Sequence, residues 1–544
     1  MYYARVLIVA NRCLATGTKF MTFRAAPTPF ALVTLLALLL ALFPASTPQP
    51  ALAATGRAFG ALIAGGFVVY SGNFNADARI DLYTVPAEGG TPLRLSAGLP
   101  DGEVEEFVAA SNRVVFSWRY DGKVGLYSAP LAGGLPTRLN PEYTVLNTGD
   151  QLRFSLAGDL VVFAVPQDRP EVGVLYSVPA TGGTPTRLSA ALPDVGSGVP
   201  WKVDTVVVSD DGSTVAYTLE VTSGAQSRLY TVPAAGGAST LVSLATDSLI
   251  SNPSSIALTA DGARVVYRTV VATQSGQGVK LVSVTKTGAG RQELDTAAQI
   301  EFRLTPDGTR AVYFRSDAPF DMTGELRSVL LTGGDTVPLA SGVAKSFALT
   351  PGSGDALFAP SSGGLSRIPA AGGVAQTVLA SGFPDLDFSL GFSAGGSAVF
   401  KATDGGGVTK LYSYPLAGGT ANVISDDAVS SQFLGDFLLA GERAIYFAIA
   451  TGAQPQLYSV SLAGGASVKL NGPFEGGENL LRPFSAADGK VLYGVWQQVF
   501  GQRPAYTRLL VAAADGAGEP VALSLSSPED PSATFSVYLP LVAR

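Results

Sequence analysis

Nine residues recur along this chain. "LYTVPAEGG", Leu82 to Gly90, returns as "LYSAPLAGG" at Leu126, "LYSVPATGG" at Leu175, "LYTVPAAGG" at Leu229, "LYSYPLAGG" at Leu411 and "LYSVSLAGG" at Leu457. Looser copies begin at Leu281, Leu326, Leu365 and Leu509. Consecutive starts lie 39 to 54 residues apart, about 47 on average, close to the 40–50 of repeats that each form one small sheet. A period sustained over most of the chain constrains the fold more than any other feature here.

Each unit reads as four short strands. A first run such as "IEFRLT" leads through "PDG" into "TRAVYF"; a variable stretch follows, then "LYSVP", a Gly-Gly turn and "TPTRLS". Asp211-Gly212, Asp261-Gly262, Asp307-Gly308 and Asp488-Gly489 are tight-turn signals, because glycine accepts positive φ without a Cβ clash. "LYSVP" carries bulky groups on both faces, so it needs cover on both faces. Sheets stacked radially, each between two neighbours, meet that need. The fourth strand holds Pro92, Pro136, Pro185 and Pro338 beside Arg94, Arg138 and Arg187, the composition of an exposed edge. The first strand is then innermost and lines a central channel. The fold expected is all-β, a β-propeller of about ten four-stranded blades over residues 54–526, as one ring or as two smaller rings in tandem.

Residues 1–53 read as a signal peptide, with a possible true start at Met21. Arg5, Arg12, Lys19 and Arg24 precede the apolar run Phe30–Phe43, which is short for a span of about 20 residues. Ala51-Leu52-Ala53 fits the small-x-small pattern for cleavage before Ala54. An exported protein is expected, periplasmic, cell-surface or extracellular, with no membrane span in the mature chain. Cys13 is the only cysteine and lies upstream of the apolar run, so disulfides and cysteine nucleophiles are excluded from the mature chain. Histidine is absent, which removes the usual general base and the commonest metal ligand. Of 36 basic residues four fall in 1–53, which leaves 32 against 43 acidic ones, a balance of −11 that disfavours nucleic acid.

The "DG" after the first strand and the block "LY-x-x-P-x-x-GG", as in Leu175–Gly183, resemble the TolB-type, WD40-like (PD40) propeller repeats of exported bacterial proteins. The Gly-His and Trp-Asp dipeptides of true WD40 repeats are missing. The resemblance implies a propeller fold and a tendency toward protein interaction, not a reaction, and no separate hydrolase domain is visible.

Function is expected on the loops that vary between repeats. Trp118, Trp201 and Trp496 map to that face, and with Arg119 and Tyr120 they form the leading candidates for a recognition surface. The competing reading is that each tryptophan caps a hydrophobic gap between sheets. Arg153, Asp204, Glu301 and Arg303 are expected along the inner strands, as a ligand site or as solvated channel wall. "NFNADARID", Asn73 to Asp81, lacks the glycine and final glutamate of a calcium loop. "GFSAG", Gly391 to Gly395, matches the nucleophile-elbow pattern but falls where other repeats place a hairpin turn. The expectation is a non-catalytic binding or scaffold module without a cofactor, taking an unknown protein or carbohydrate ligand. The alternative is a carbohydrate-active propeller using paired carboxylates, with Glu105 and Glu106 beside Trp118 as the nearest group. The tail 527–544, ending "YLPLVAR", reads either as a sorting signal or as a strand that completes the first blade.

Overall fold

The computed structural model describes residues 61–72, 80–110, 112–140, 143–144, 153–167, 172–189, 201–221, 227–250, 253–273, 276–318, 320–381, 383, 385–425, 433–449, 454–474, 478–480, 485–497, 505–523 and 537–538. The signal-peptide reading of residues 1–53 therefore lies outside the described residues, as does most of "NFNADARID". Among the described residues there is no α-helix, only strands and one 3-10 turn at Pro253–Ser255. No helix among them is long and apolar enough to cross a membrane.

The repeats fold as antiparallel meanders in chain order. The first pairs Ala61–Ala64, Phe67–Gly72, Asp81–Pro86 and Leu93–Arg94 in that sequence. The fourth pairs Trp201–Val208, Thr214–Val221, Ser227–Pro233 and Thr240–Leu241. The sixth and seventh are joined into one seven-stranded sheet, because Val337–Leu349 is both the last strand of one and the first strand of the next. The nonapeptide is the third strand throughout. The outer strand is shorter than expected, often two residues, and Pro92, Pro136 and Pro185 stand just before it rather than within it. Only Pro338 enters a ladder, opposite Arg327.

Stacking explains why the nonapeptide is copied. All ten of its leucines, from Leu82 to Leu509, are 0% exposed. In the fourth sheet Tyr230 and Val232 pack back onto Val162 and Leu175 of the third. Leu229 packs forward onto Ile256, Val265 and Tyr267 of the fifth. A strand buried on both faces is thereby satisfied, at about 1.5–3 kcal/mol for each large apolar side chain removed from water. Within six sheets the tyrosine also stacks on a second-strand aromatic, as Tyr230 does on Tyr217 at 5.5 Å between centroids.

Polar positions recur with equal regularity. The third residue of the block is Ser or Thr in most copies and donates to a carbonyl of the next sheet. Thr84 Oγ1 reaches Leu131 O at 2.9 Å, Ser177 Oγ reaches Ala234 O at 2.7 Å and Thr231 Oγ1 reaches Lys286 O at 2.6 Å. The first residue's N–H donates to the side chain fourteen positions on: Leu126 to Asn140, Leu229 to Ser243, Leu457 to Asn471. The Gly-Gly turn is demanded twice over. Gly236 has φ +99° and abuts the preceding sheet, where a Cβ would lie 2.5 Å from Thr186 Cγ2.

Core clusters join each sheet to its sequence neighbour, and one more joins the last to the first. In it Tyr70, Tyr83 and Val85 pack with Leu492, Leu509 and Val511. First strands of successive sheets also touch, including Gln299–Leu304 with Val337–Leu349 and Asp385–Phe392 with Phe433–Ala440. The arrangement is β-propeller-like. In the tail, Val537–Tyr538 pairs with Ala505–Tyr506 of the last sheet, not with the first.

Candidate functional site

The first strands of seven repeats are irregular, and at a corresponding place, whereas Ala61–Ala64, Arg153–Ala157 and Gln299–Leu304 pair without a slip. Ladders slip between Val104 and Glu106, Val203 and Val206, Val343 and Phe347, Asp387 and Gly391, and Leu434 and Phe437. In the fifth and tenth repeats the first strand is broken there instead, into Ser248–Leu249 with Ile256–Leu258 and Glu478–Leu480 with Ser485–Ala487. Each interruption lies opposite or just beyond the second-strand aromatic. A bulge inserts an unpaired residue and re-aims its side chain. Glu105, Asp204, Lys345 and Asp436 occupy these positions.

The second-strand residue facing the interruption is polar in several sheets, and it holds the slipped backbone or its charge. Thr218 Oγ1 accepts from the Thr205 N–H at 3.0 Å. Lys401, 7% exposed, lies 3.6 Å from Asp436 in the next sheet. Arg268, 6% exposed, donates to Ser255 Oγ at 2.8 Å and to Ile300 O at 2.6 Å, and meets Glu301 at 2.7 Å. A polar residue in an otherwise apolar strand is thus the partner of a bulge.

Charge concentrates where the second strand of the fifth sheet meets the first strands of the sixth and seventh. Glu301 is shared between Arg268 and Lys345, the latter at 3.4 Å. Arg303 donates from Nε to Phe347 O at 3.0 Å, and its guanidinium stands 5.7 Å from the Phe347 ring. Burial pulls the Arg303 guanidinium below its ordinary pKa, partly opposed by Glu301. In the second sheet burial pushes the Glu105 carboxyl up, against the hydrogen bond and charge of Arg119.

Of the residues singled out by sequence, Arg153, Asp204, Glu301 and Arg303 all lie in first strands. The structure brings Glu301 and Arg303 together; Asp204 accepts from its neighbour Thr205 at 3.3 Å. Trp118 is not on a loop. It is 1% exposed in the strand Arg113–Tyr120, packs between the first two sheets and donates to Pro100 O at 3.1 Å. The exposed recognition surface expected of it is corrected: a large ring at a strand end fills the gap between sheets. Arg119 pairs with Glu105, and Tyr120 packs at the margin of the same core. Trp201 and Trp496 lie in strands, and their side chains are outside the described residues. Glu106 is buried at 6% exposure. "GFSAG" is a strand–turn–strand hairpin in which Ser393 and Gly395 bond Glu442 of the following sheet. Sequence reasoning missed Arg268, Lys345 and Lys401; a charged residue next to the second-strand aromatic, as in "VYRT" and "VFKA", was the available signal. Among the described residues no group of three or more acidic, His or Cys side chains could hold a metal.

No family model matches this chain, and no curated protein matches it. Solved structures do. One is from a study of two prolyl endopeptidases, at 13% identity and TM-score 0.35 over 67% of this chain and 54% of that one. Another is prolyl oligopeptidase B from Galerina marginata, at 13% identity and TM-score 0.35 over 67% and 56%. A third is a puromycin hydrolase mutant complexed with PGG, at 16% identity and TM-score 0.34 over 73% and 60%. The matches span just over half the length of those chains. Likeness of this degree transfers no activity. By name the three are peptidases and a hydrolase; the expectation of a non-catalytic binding or scaffold module, with its carbohydrate alternative, finds no support among them and is set aside.

Proposed function

We propose that the ten repeats close into one ring and that its inner strands admit peptides, as the propeller part of a peptide-processing protein. Ring closure is supported by the core shared between Tyr70, Tyr83, Leu509 and Val511. The peptide reading is carried by the first strands, most of which have a ladder partner on one side only. An edge strand has ladder bonds on one side only, and an extended peptide binds such an edge by strand addition. Beside it stand side chains of both signs, Glu105, Glu301, Arg303 and Lys345, that suit a chain carrying both charges. With no histidine in the sequence, a Ser-His-Asp triad cannot be assembled from these residues.

The test is retention. The full chain is equilibrated with a random mixture of short peptides, passed through gel filtration, and the co-eluting peptides are identified by mass. Peptides should elute with the protein. A folded protein that retains none defeats the reading. The resemblance to TolB-type repeats and the leader at 1–53 support export; mature protein recovered outside the cytoplasm should begin at Ala54, and a cytoplasmic chain starting at Met1 or Met21 would oppose it.

A further inference from the structure

We infer that Arg303 is the anchor of a carboxylate-binding site where the first strands of the sixth and seventh sheets meet Arg268 of the fifth, and that its ligand is the C-terminal carboxylate of a peptide. The inference rests on the peptide reading above and specifies which end of the peptide is held.

Three cations meet one anion here. Arg268 and Lys345 share Glu301, at 2.7 and 3.4 Å. Gln299, with its amide oxygen turned toward Lys345, accepts from that ammonium at 2.5 Å. Arg303 is adjacent to the same carboxylate but bonds none. Its Nε is fixed to Phe347 O and its plane is held near the Phe347 ring, so the side chain has one orientation. No hydrogen bond among the described residues engages its two Nη groups. A guanidinium held this way presents a rigid fork that matches a carboxylate with two parallel hydrogen bonds.

The surplus of positive charge is local. The neighbouring Arg315 is occupied by Asp317 at 2.6 Å and Asp295 at 3.8 Å, so it adds no further attraction. Burial lowers the Arg303 pKa, as expected of a cation that has given up water without a full counter-charge. Arg268 is 6% exposed and its Nε has no hydrogen-bond partner, so it too is under-compensated. In a chain with a formal charge of −7, a cluster of this sign selects for anions against the global field. Glu301 and Lys345 are each about one-third exposed, which leaves the cluster open to solvent.

The experiment is calorimetric titration of the full chain with an N-acetylated tripeptide as free acid, with the same peptide as C-terminal amide, and with sodium acetate, all at one ionic strength. The free acid should bind at least about tenfold tighter than the amide, a difference of about 1.4 kcal/mol. Arg303→Gln and Arg303→Lys should both abolish that preference, the second because it keeps charge and loses the fork. Lys490→Ala, in the ion pair with Glu88 between the last sheet and the first, should preserve it. Far-UV circular dichroism of the Arg303 variants checks that the sheets are intact. Equal binding of acid and amide overturns the carboxylate site and leaves the peptide reading standing. Binding of acetate but of neither peptide supports a carboxylate site and overturns the peptide ligand. Silence from all three overturns both.

Discussion

The proposed ring closure can be tested at one residue. Leu509 is 0% exposed in the core where the last sheet meets Tyr70, Tyr83 and Val85 of the first. Leu509→Ala removes about three methylene equivalents, roughly 2.4 kcal/mol of transfer free energy, and a poorly relaxed cavity raises the loss to about 3–5 kcal/mol. Leu281→Ala makes the same cut between the fifth and sixth sheets, where Leu281 packs with Ala311 and Tyr313. In a closed ring the two interfaces are equivalent, so urea unfolding followed by circular dichroism should show the two midpoints falling together, within about 1 kcal/mol. In an open array stability is a sum of nearest-neighbour terms, and terminal units are the least supported. A Leu509→Ala loss below about 1 kcal/mol, or a separate early transition confined to that variant, would refute closure, provided Leu281→Ala shows its full loss.

Two further outcomes follow from the repeated polar contacts. Asp211, Asp261 and Asp307 cap their turns by accepting from Ser209 or Thr hydroxyls and from the N–H two residues on, and those bonds hold each carboxyl below its ordinary range. A depressed folded pKa contributes stability above the unfolded pKa that is lost as pH falls through the folded one; the urea midpoint should therefore drop on acidification below about pH 4, and the triple Asp→Asn variant should flatten that limb. An unchanged acid limb would count against the caps. Thr231→Val keeps shape but deletes the part-buried bond to Lys286 O, and should lose about 1 kcal/mol in the same assay; a neutral result would show the inter-sheet hydroxyl to be dispensable.

Much of the fold was legible because the environment repeats. Each sheet meets the same two neighbours, so Leu, Tyr and Pro recur at fixed offsets, and a strand apolar on both faces announces its own burial. The Asp-Gly and Gly-Gly turns were readable for a related reason: positive φ and the close approach of Gly236 to Thr186 exclude other residues. The site was less legible. Arg303 and Glu301 lie in the first strand of their repeat, where their phase put them. Arg268 and Lys345, which complete the charge cluster, sit in other repeats and meet Glu301 only when three sheets are stacked. Trp118 misled because composition does not distinguish a ring at a strand end from one on a loop.

Sequence alone determined what is periodic: strand order within a repeat, which residues are buried twice over, and the absence of histidine. Tertiary structure decided what is not periodic, namely where the inner ladders slip, which charges face one another, and that the last sheet lies against the first. The reason is physical. Periodic burial is a local demand that every copy must answer alone, whereas a bulge, a shared carboxylate or a closing interface exists only between segments that the chain order keeps apart.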